Sequence, residues 1–325
     1  MTVVTFDDRL TAACARHGHL CVGIDPHGES LTAWGLDDDL GGVEHFSRGL
    51  VAALAGHVGV FKPQSAFFEA HGPDGLRVLG SVLADIAEAG AVSILDVKRG
   101  DIGSTMQAYA RAYLAPGAPL AADAITASPY LGVESLAPAI EAAAGAGRGV
   151  FVLARTSNPE GAMVQLATAP ETRQSVAQRV VAGAVAANRD AGTPLVGLVV
   201  GATLPSLDID LGGFDGWILA PGLGAQGGRP ADLARLFGDG RQRVLPTTSR
   251  EVASAGPDWR SLEHRVVALQ ADCATALGRF GVASSRSDAG LTGPRGGGGA
   301  MLEESVDSRT TEEQGSTCCG DTDTV

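Results

Sequence analysis

Residues 92–105 read Val92-Ser93-Ile94-Leu95-Asp96-Val97-Lys98-Arg99-Gly100-Asp101-Ile102-Gly103-Ser104-Thr105. The stretch opens as a near-continuous apolar run, which is how a parallel strand buried on both faces reads. Its last part carries two carboxylates and an ammonium before the chain turns toward a helix. Strand side chains alternate between faces, so Asp96 and Lys98, two apart, are expected to point the same way. Asp101 lies just beyond, so the spacing sets a lysine between carboxylates, which favours its charged form. A buried ion-pair network is a poor device for stability alone. The arrangement therefore points to chemistry.

Seven further apolar runs surround this one: 20–25, 58–62, 122–127, 149–154, 195–200, 217–220 and 244–247. Helical stretches separate them. Leu76, Leu79, Leu83 and Ile86 form one apolar stripe, and Leu262, Val266, Leu269, Cys273, Leu277 and Phe280 another. Phe6 to His17 reads as an extra helix before the first strand. Eight strands alternating with helices over about 280 residues predict an α/β fold of the (β/α)8 TIM barrel type. A doubly wound open sheet is the runner-up, disfavoured because no G-x-G-x-x-G follows the first strand.

Barrel enzymes carry function at the C-terminal ends of their strands. Polar residues fall there in register: Asp25, Lys62, the Asp96-Lys98-Asp101 group, Ser128, Ser157, Gln226, and Ser249 with Arg250. Lys62 and Lys98 are the only lysines among 24 basic residues. Arginine cannot readily give up a proton and lysine can, so a site that needs an ammonium acid resists the exchange.

The remaining composition narrows the class. Of the 325 residues, 45% are hydrophobic and 5% aromatic, so the core is aliphatic. A net charge of -13 argues against a general nucleic-acid surface, which relies on massed Lys and Arg. No apolar run approaches membrane-spanning length and no signal pattern opens the chain, so a cytoplasmic protein is expected. The five cysteines form no C-x-x-C pair and no metal-ligand spacing with His, so no metal site is expected. From about Ala283 the chain becomes rich in Ser, Gly, Thr, Asp and Glu, with three arginines against eight acids. Residues 283–325 are expected to form a disordered acidic tail after a barrel domain of residues 1–282.

The pattern Asp-x-Lys-Arg-x-Asp-Ile-x-x-Thr over residues 96–105 resembles the signature of the orotidine 5'-phosphate decarboxylase family. Val22-Gly23-Ile24-Asp25, Phe61-Lys62-Pro63-Gln64, the Gly-rich stretch 221–228 and Thr248-Ser249-Arg250 agree with it, over residues 6 to 280 in all. Thr156-Ser157-Asn158-Pro159 and the length are similar to the longer bacterial (type 2) subgroup. The resemblance implies a cofactor-independent lyase that converts orotidine 5'-phosphate to UMP and carbon dioxide, the last step of de novo UMP synthesis. It implies that Lys98 protonates C6 of the pyrimidine and that Asp96 sits beside the departing carboxylate. Asp25 and Lys62 would hold the ribose hydroxyls and complete the charge network. Ser157 would bond the pyrimidine. Gln226 and Arg250 would bind the phosphate, helped by backbone N–H groups around Gly222 to Gly228. Asp101, Ile102 and Thr105 would reach into the neighbouring site of a homodimer. Two rivals stand beside this reading. One is a magnesium-dependent decarboxylase or aldolase of the same barrel superfamily acting on a sugar phosphate. The other is a catalytically dead phosphate-binding barrel.

Overall fold

The computed structural model describes residues 4–238 and 243–278. Eight parallel strands close into a barrel in chain order, β8 pairing with β1. They are β1 (Cys21–Ile24), β2 (Val60–Pro63), β3 (Val92–Arg99), β4 (Ala124–Ala127), β5 (Gly149–Arg155), β6 (Val196–Val200), β7 (Ile218–Pro221) and β8 (Val244–Thr248). Each lies within a few residues of the apolar run that predicts it. Nearly all their residues are buried, because one face looks into the barrel and the other meets the helices. The expected barrel is therefore found, and the open sheet is not.

Period-two alternation sorts the strands into two layers. Val22, Ile24, Phe61, Leu95, Ile125, Val150 and Val152 face outward and join the large core beneath the helices. Cys21, Val60, Val92, Ile94, Ala124, Phe151, Val199, Leu219 and Leu245 fill the barrel. Phe6, Leu10 and Cys14 of the first helix, Phe6–His17, belong to this inner cluster. Phe6 meets Phe151 edge-on at 6.0 Å, and a side chain at Gly149 would strike its ring. That helix therefore plugs the N-terminal mouth, leaving the other end open.

The two predicted stripes are buried as expected. Leu79, Leu83 and Ile86 lie inside helix Gly72–Glu88, with Leu76 half-buried. Leu262, Val266, Leu269 and Cys273 line the inner face of helix Trp259–Ala276, and Leu277 caps it. Phe280 and the expected tail, residues 283–325, lie outside the described residues. Among the described residues no helix is long and apolar enough to cross a membrane.

Candidate active site

The same alternation that packs the barrel interior leads directly to the polar residues at its open end. Inward positions run Cys21, Gly23, Asp25 on β1 and Val60, Lys62, Gln64 on β2. On β3 they run Val92, Ile94, Asp96, and on β4 Ala124, Thr126. These termini converge on a cavity of about 540 Å³. Asp25, Lys62, Asp96, Lys98, Ser157, Gln226 and Arg250 all line it, as does Ser249.

Asp96 is the centre. Its side chain is only 9% exposed, and each of its oxygens takes a different lysine. Oδ2 accepts from Lys62 Nζ at 2.9 Å, and Oδ1 from Lys98 Nζ at 2.7 Å. Oδ1 also accepts from Thr126 Oγ1 at 2.8 Å. Burial alone would push the Asp96 carboxyl toward its neutral form. The two ammonium groups and their hydrogen bonds overcome that and hold its pKa well below the ordinary carboxylate value. Lys62 is the mirror case. Its side chain is 8% exposed, and burial opposes its charge. Asp96 and Asp25 beside it nevertheless raise its pKa above that of a free lysine. Two buried charges thus stabilise each other. Lys98, by contrast, is 46% exposed and faces the cavity. Among the described residues Asp25 Oδ1 is buried without a hydrogen-bond partner, an acceptor placed where a ligand hydroxyl could meet it.

Simple strand alternation is not what brings Lys98 to Asp96. The register of β3 on β4 shifts between Leu95 and Arg99, and Lys98 has φ 45°, a left-handed backbone rare for a residue with a side chain. Thr126 holds the distortion: its hydroxyl oxygen accepts the Lys98 N–H at 2.9 Å while donating to Asp96. The same-face expectation holds in outcome, but through a bulge rather than a regular pleat.

Other expected residues fall elsewhere. Asp101, Ile102 and Thr105 do not line the cavity. They lie at the start of helix Gly103–Leu114, with Asp101 Oδ1 accepting from Ile102 N at 2.8 Å and Ile102 62% exposed. Ser128 is also outside the lining, its backbone N–H bound to Arg99 O at 2.8 Å. Thr126, one inward step earlier, fills the place on β4 that Ser128 was expected to take. The Gly-rich loop after β7 bonds to itself: Gly228 N to Gly222 O, Gly224 N to Gly228 O and Gly227 N to Gly224 O. Those three amides are therefore occupied rather than offered to a phosphate. Sequence reasoning also missed His27, Gln64, Thr156 and Asn158 in the lining. Gln64 was within reach, being two residues beyond Lys62. Among the described residues no group of three or more His, Cys, Asp or Glu side chains is placed to hold a metal.

Comparison with known proteins decides the lineage. The sequence model of the orotidine 5'-phosphate decarboxylase / HUMPS family matches residues 18–262. This chain belongs to that family. Relatives named orotidine 5'-phosphate decarboxylase include one from Salinispora arenicola, 53% identical over 275 residues, 84% of this chain and 98% of the relative. Another, from Streptomyces coelicolor, is 49% identical over 274 residues, again 84% and 98% of the two chains. A crystal structure from Streptomyces avermitilis assigned to the same decarboxylase aligns with TM-score 0.81 at 48% identity, covering 85% of this chain and 97% of that one. Of the residues that carried the sequence resemblance, Asp25, Lys62, Asp96, Lys98, Ser157, Gln226 and Arg250 line the cavity, whereas Asp101, Ile102 and Thr105 do not.

Proposed function

We propose that this chain is a cytoplasmic, cofactor-independent decarboxylase that converts orotidine 5'-phosphate to UMP and carbon dioxide. The observation that carries the reading is Asp96 held between Lys62 and Lys98 at the cavity floor. Breaking the C6–carboxylate bond leaves an electron pair on C6 that the ring's π-system cannot absorb. A fixed cation beside that carbon is the device that lowers the barrier. Lys98 provides it and then transfers an Nζ proton to C6, giving UMP and a neutral amine that recovers its proton from solvent. Asp96, its charge enforced by both lysines, lies beside the substrate carboxylate and is relieved as neutral carbon dioxide departs. The orphaned Asp25 oxygen accepts a ribose hydroxyl, with Lys62 completing the network. Ser157 bonds the pyrimidine edge. Gln226 and Arg250 at the mouth hold the phosphate, whose binding energy contributes to catalysis at a distance. With the amides of Gly224, Gly227 and Gly228 turned inward, these two side chains carry more of that task than the sequence alone suggests.

The working unit in this reading is a homodimer. Asp101, Ile102 and Thr105 stand outside their own cavity, and Ile102 with Tyr130 and Leu131 exposes apolar surface near the open end of the barrel. A second copy that covers this surface would receive the three residues at its own site.

The test is the loss of absorbance at the pyrimidine band on mixing the protein with orotidine 5'-phosphate, with and without a chelator. Turnover indifferent to the chelator is expected. Absence of turnover, or chelator-sensitive turnover of a sugar phosphate instead, would overturn the proposal in favour of the rival barrel activity.

A further inference from the structure

Thr156 precedes Ser157, and all three of its polar groups are held. Its backbone N–H donates to Gln165 Oε1 at 3.0 Å, and its hydroxyl accepts from Gln165 Nε2 at 2.7 Å. Its carbonyl accepts from Arg155 Nη1 at 2.7 Å. Arg155 Nη1 also reaches Gln165 Oε1 at 3.3 Å, while Arg155 Nε is shared between the two oxygens of Asp208 at 3.0 and 3.1 Å. The Arg155 side chain is 9% exposed, so this cation was taken out of water to make those bonds. The opposite side of Ser157 is fixed by contact. A Cβ at Gly201 would come within 2.8 Å of both Ser157 N and Ser157 Cβ, and Gly201 N donates to Arg155 O at 2.8 Å.

From this we propose that Arg155 and Gln165 are positioning residues that aim the Ser157 hydroxyl into the cavity. The inference rests on the reading that Ser157 meets the pyrimidine. A stabilising role alone explains the clamp poorly, because burying an ion pair gains little against its desolvation. The geometry is also local in a particular way. Gln165 closes the short helix Ala162–Gln165 in the loop after β5, nine residues from Thr156, and its one amide group occupies two of the Thr156 polar groups. Arg155 stands where β5 shifts its register on β6, so its side chain ties the strand end to Asp208 in the loop after β6. The serine between these anchors and Gly201 has little freedom to turn away.

The experiment uses the full chain and two ligands, UMP and ribose 5-phosphate, with dissociation constants from calorimetry and kcat and KM from the absorbance assay. Gln165→Leu is expected to weaken UMP by about tenfold, the order of one misaligned hydrogen bond, while leaving ribose 5-phosphate within about twofold. Arg155→Lys, which keeps the charge without the planar fork, should show the same selectivity in smaller measure. In a Ser157→Ala background, Gln165→Leu should have no further effect on UMP, since the group it aims is gone. Equal loss for both ligands in Gln165→Leu, or no loss for either, overturns the clamp while leaving the role of Ser157 standing. A Ser157→Ala variant that binds UMP normally overturns the base-contact reading and the clamp with it.

Discussion

Arg99 and Glu69 join, on the outer side of the barrel wall, the same two segments that Lys62 and Asp96 join on the inner side. Glu69 ends helix Ser65–Glu69, which follows β2 directly, and accepts from Arg99 Nη2 at 2.7 Å and from Ser65 Oγ at 2.5 Å. Lys98 lies between the two ion pairs in sequence. The outer pair, with Arg99 also 5.7 Å from the Tyr109 ring centre, therefore secures the chain on the far side of the bulge.

Arg99→Met should lower kcat by about tenfold with little change in KM, because an ammonium displaced by a fraction of an ångström serves the transition state less well. Glu69→Gln should do the same more weakly, and the double variant should be no worse than Arg99→Met. Steady-state kinetics on the three proteins checks this. A pure rise in KM, or an additive double variant, would place the pair outside the catalytic geometry.

Replacement of Lys98 is the sharpest test of the proton donor. Lys98→Ala should retain a cooperative melt but lose at least about a thousandfold in kcat, as loss of a general acid and a fixed cation predicts. Lys98→Arg should fail almost as badly, because a guanidinium is a poor acid. Activity within tenfold of wild type in either protein would remove Lys98 from that role.

The pKa shifts at the centre dictate how stability responds to acid and base. Asp96 is depressed from 3.8, so its contribution is present above that value and is lost as pH falls toward the depressed one. Lys62 is raised from 10.5, so its contribution is present below that value and is lost as pH rises through the raised one. Between those limits neither group adds a pH slope. Urea unfolding at a series of pH values should therefore show the stability gap between wild type and Asp96→Asn narrowing from pH 5 to pH 3. A gap constant over that range would mean that the folded and unfolded carboxyls titrate alike.

Shared sites can be tested by mixing. Lys98→Ala and Asp101→Ala should each be inactive, yet after subunit exchange about half of the dimers would be hybrids with one intact site apiece, restoring roughly a quarter of wild-type activity. Absence of recovery, with hybrids proven by mass spectrometry, would assign Asp101 to its own subunit.

The Ser-, Gly-, Thr- and acid-rich composition of residues 283–325 leads us to expect that their deletion leaves melting temperature and kcat essentially unchanged. Thermal melts and the absorbance assay on the truncated protein check this. A truncation that lost most of its activity would assign those residues a part in the site or in assembly.

The strands were legible because a parallel strand buried on both faces has almost no polar residue until it reaches the open end. That is why the runs ending at Asp25, Lys62 and Asp96 could be read as walls leading to a site. What lay hidden depends on partners distant in sequence. Nothing local to Val97-Lys98-Arg99 announces a bulge, because the group that holds it is Thr126 on the next strand. Ser128 attracted attention as the first polar residue past β4, whereas Thr126, inside the apolar run, passed as an ordinary strand former. The inward bonding of the Gly-rich loop was equally out of reach, since glycines that offer amides to an anion and glycines that fold back on themselves are spelled alike.

The left-handed backbone of Lys98 gives codon 98 a conflict of interest. A side chain in that region costs on the order of 1 kcal/mol that glycine would not incur. Backbone strain alone favours glycine at this position, whereas the proposed proton transfer requires a lysine. On the proposed role of Lys98, the proton donor therefore sits where the folding preference of its own backbone runs against it. In lineages released from the need for turnover, it is among the first residues of the site expected to drift.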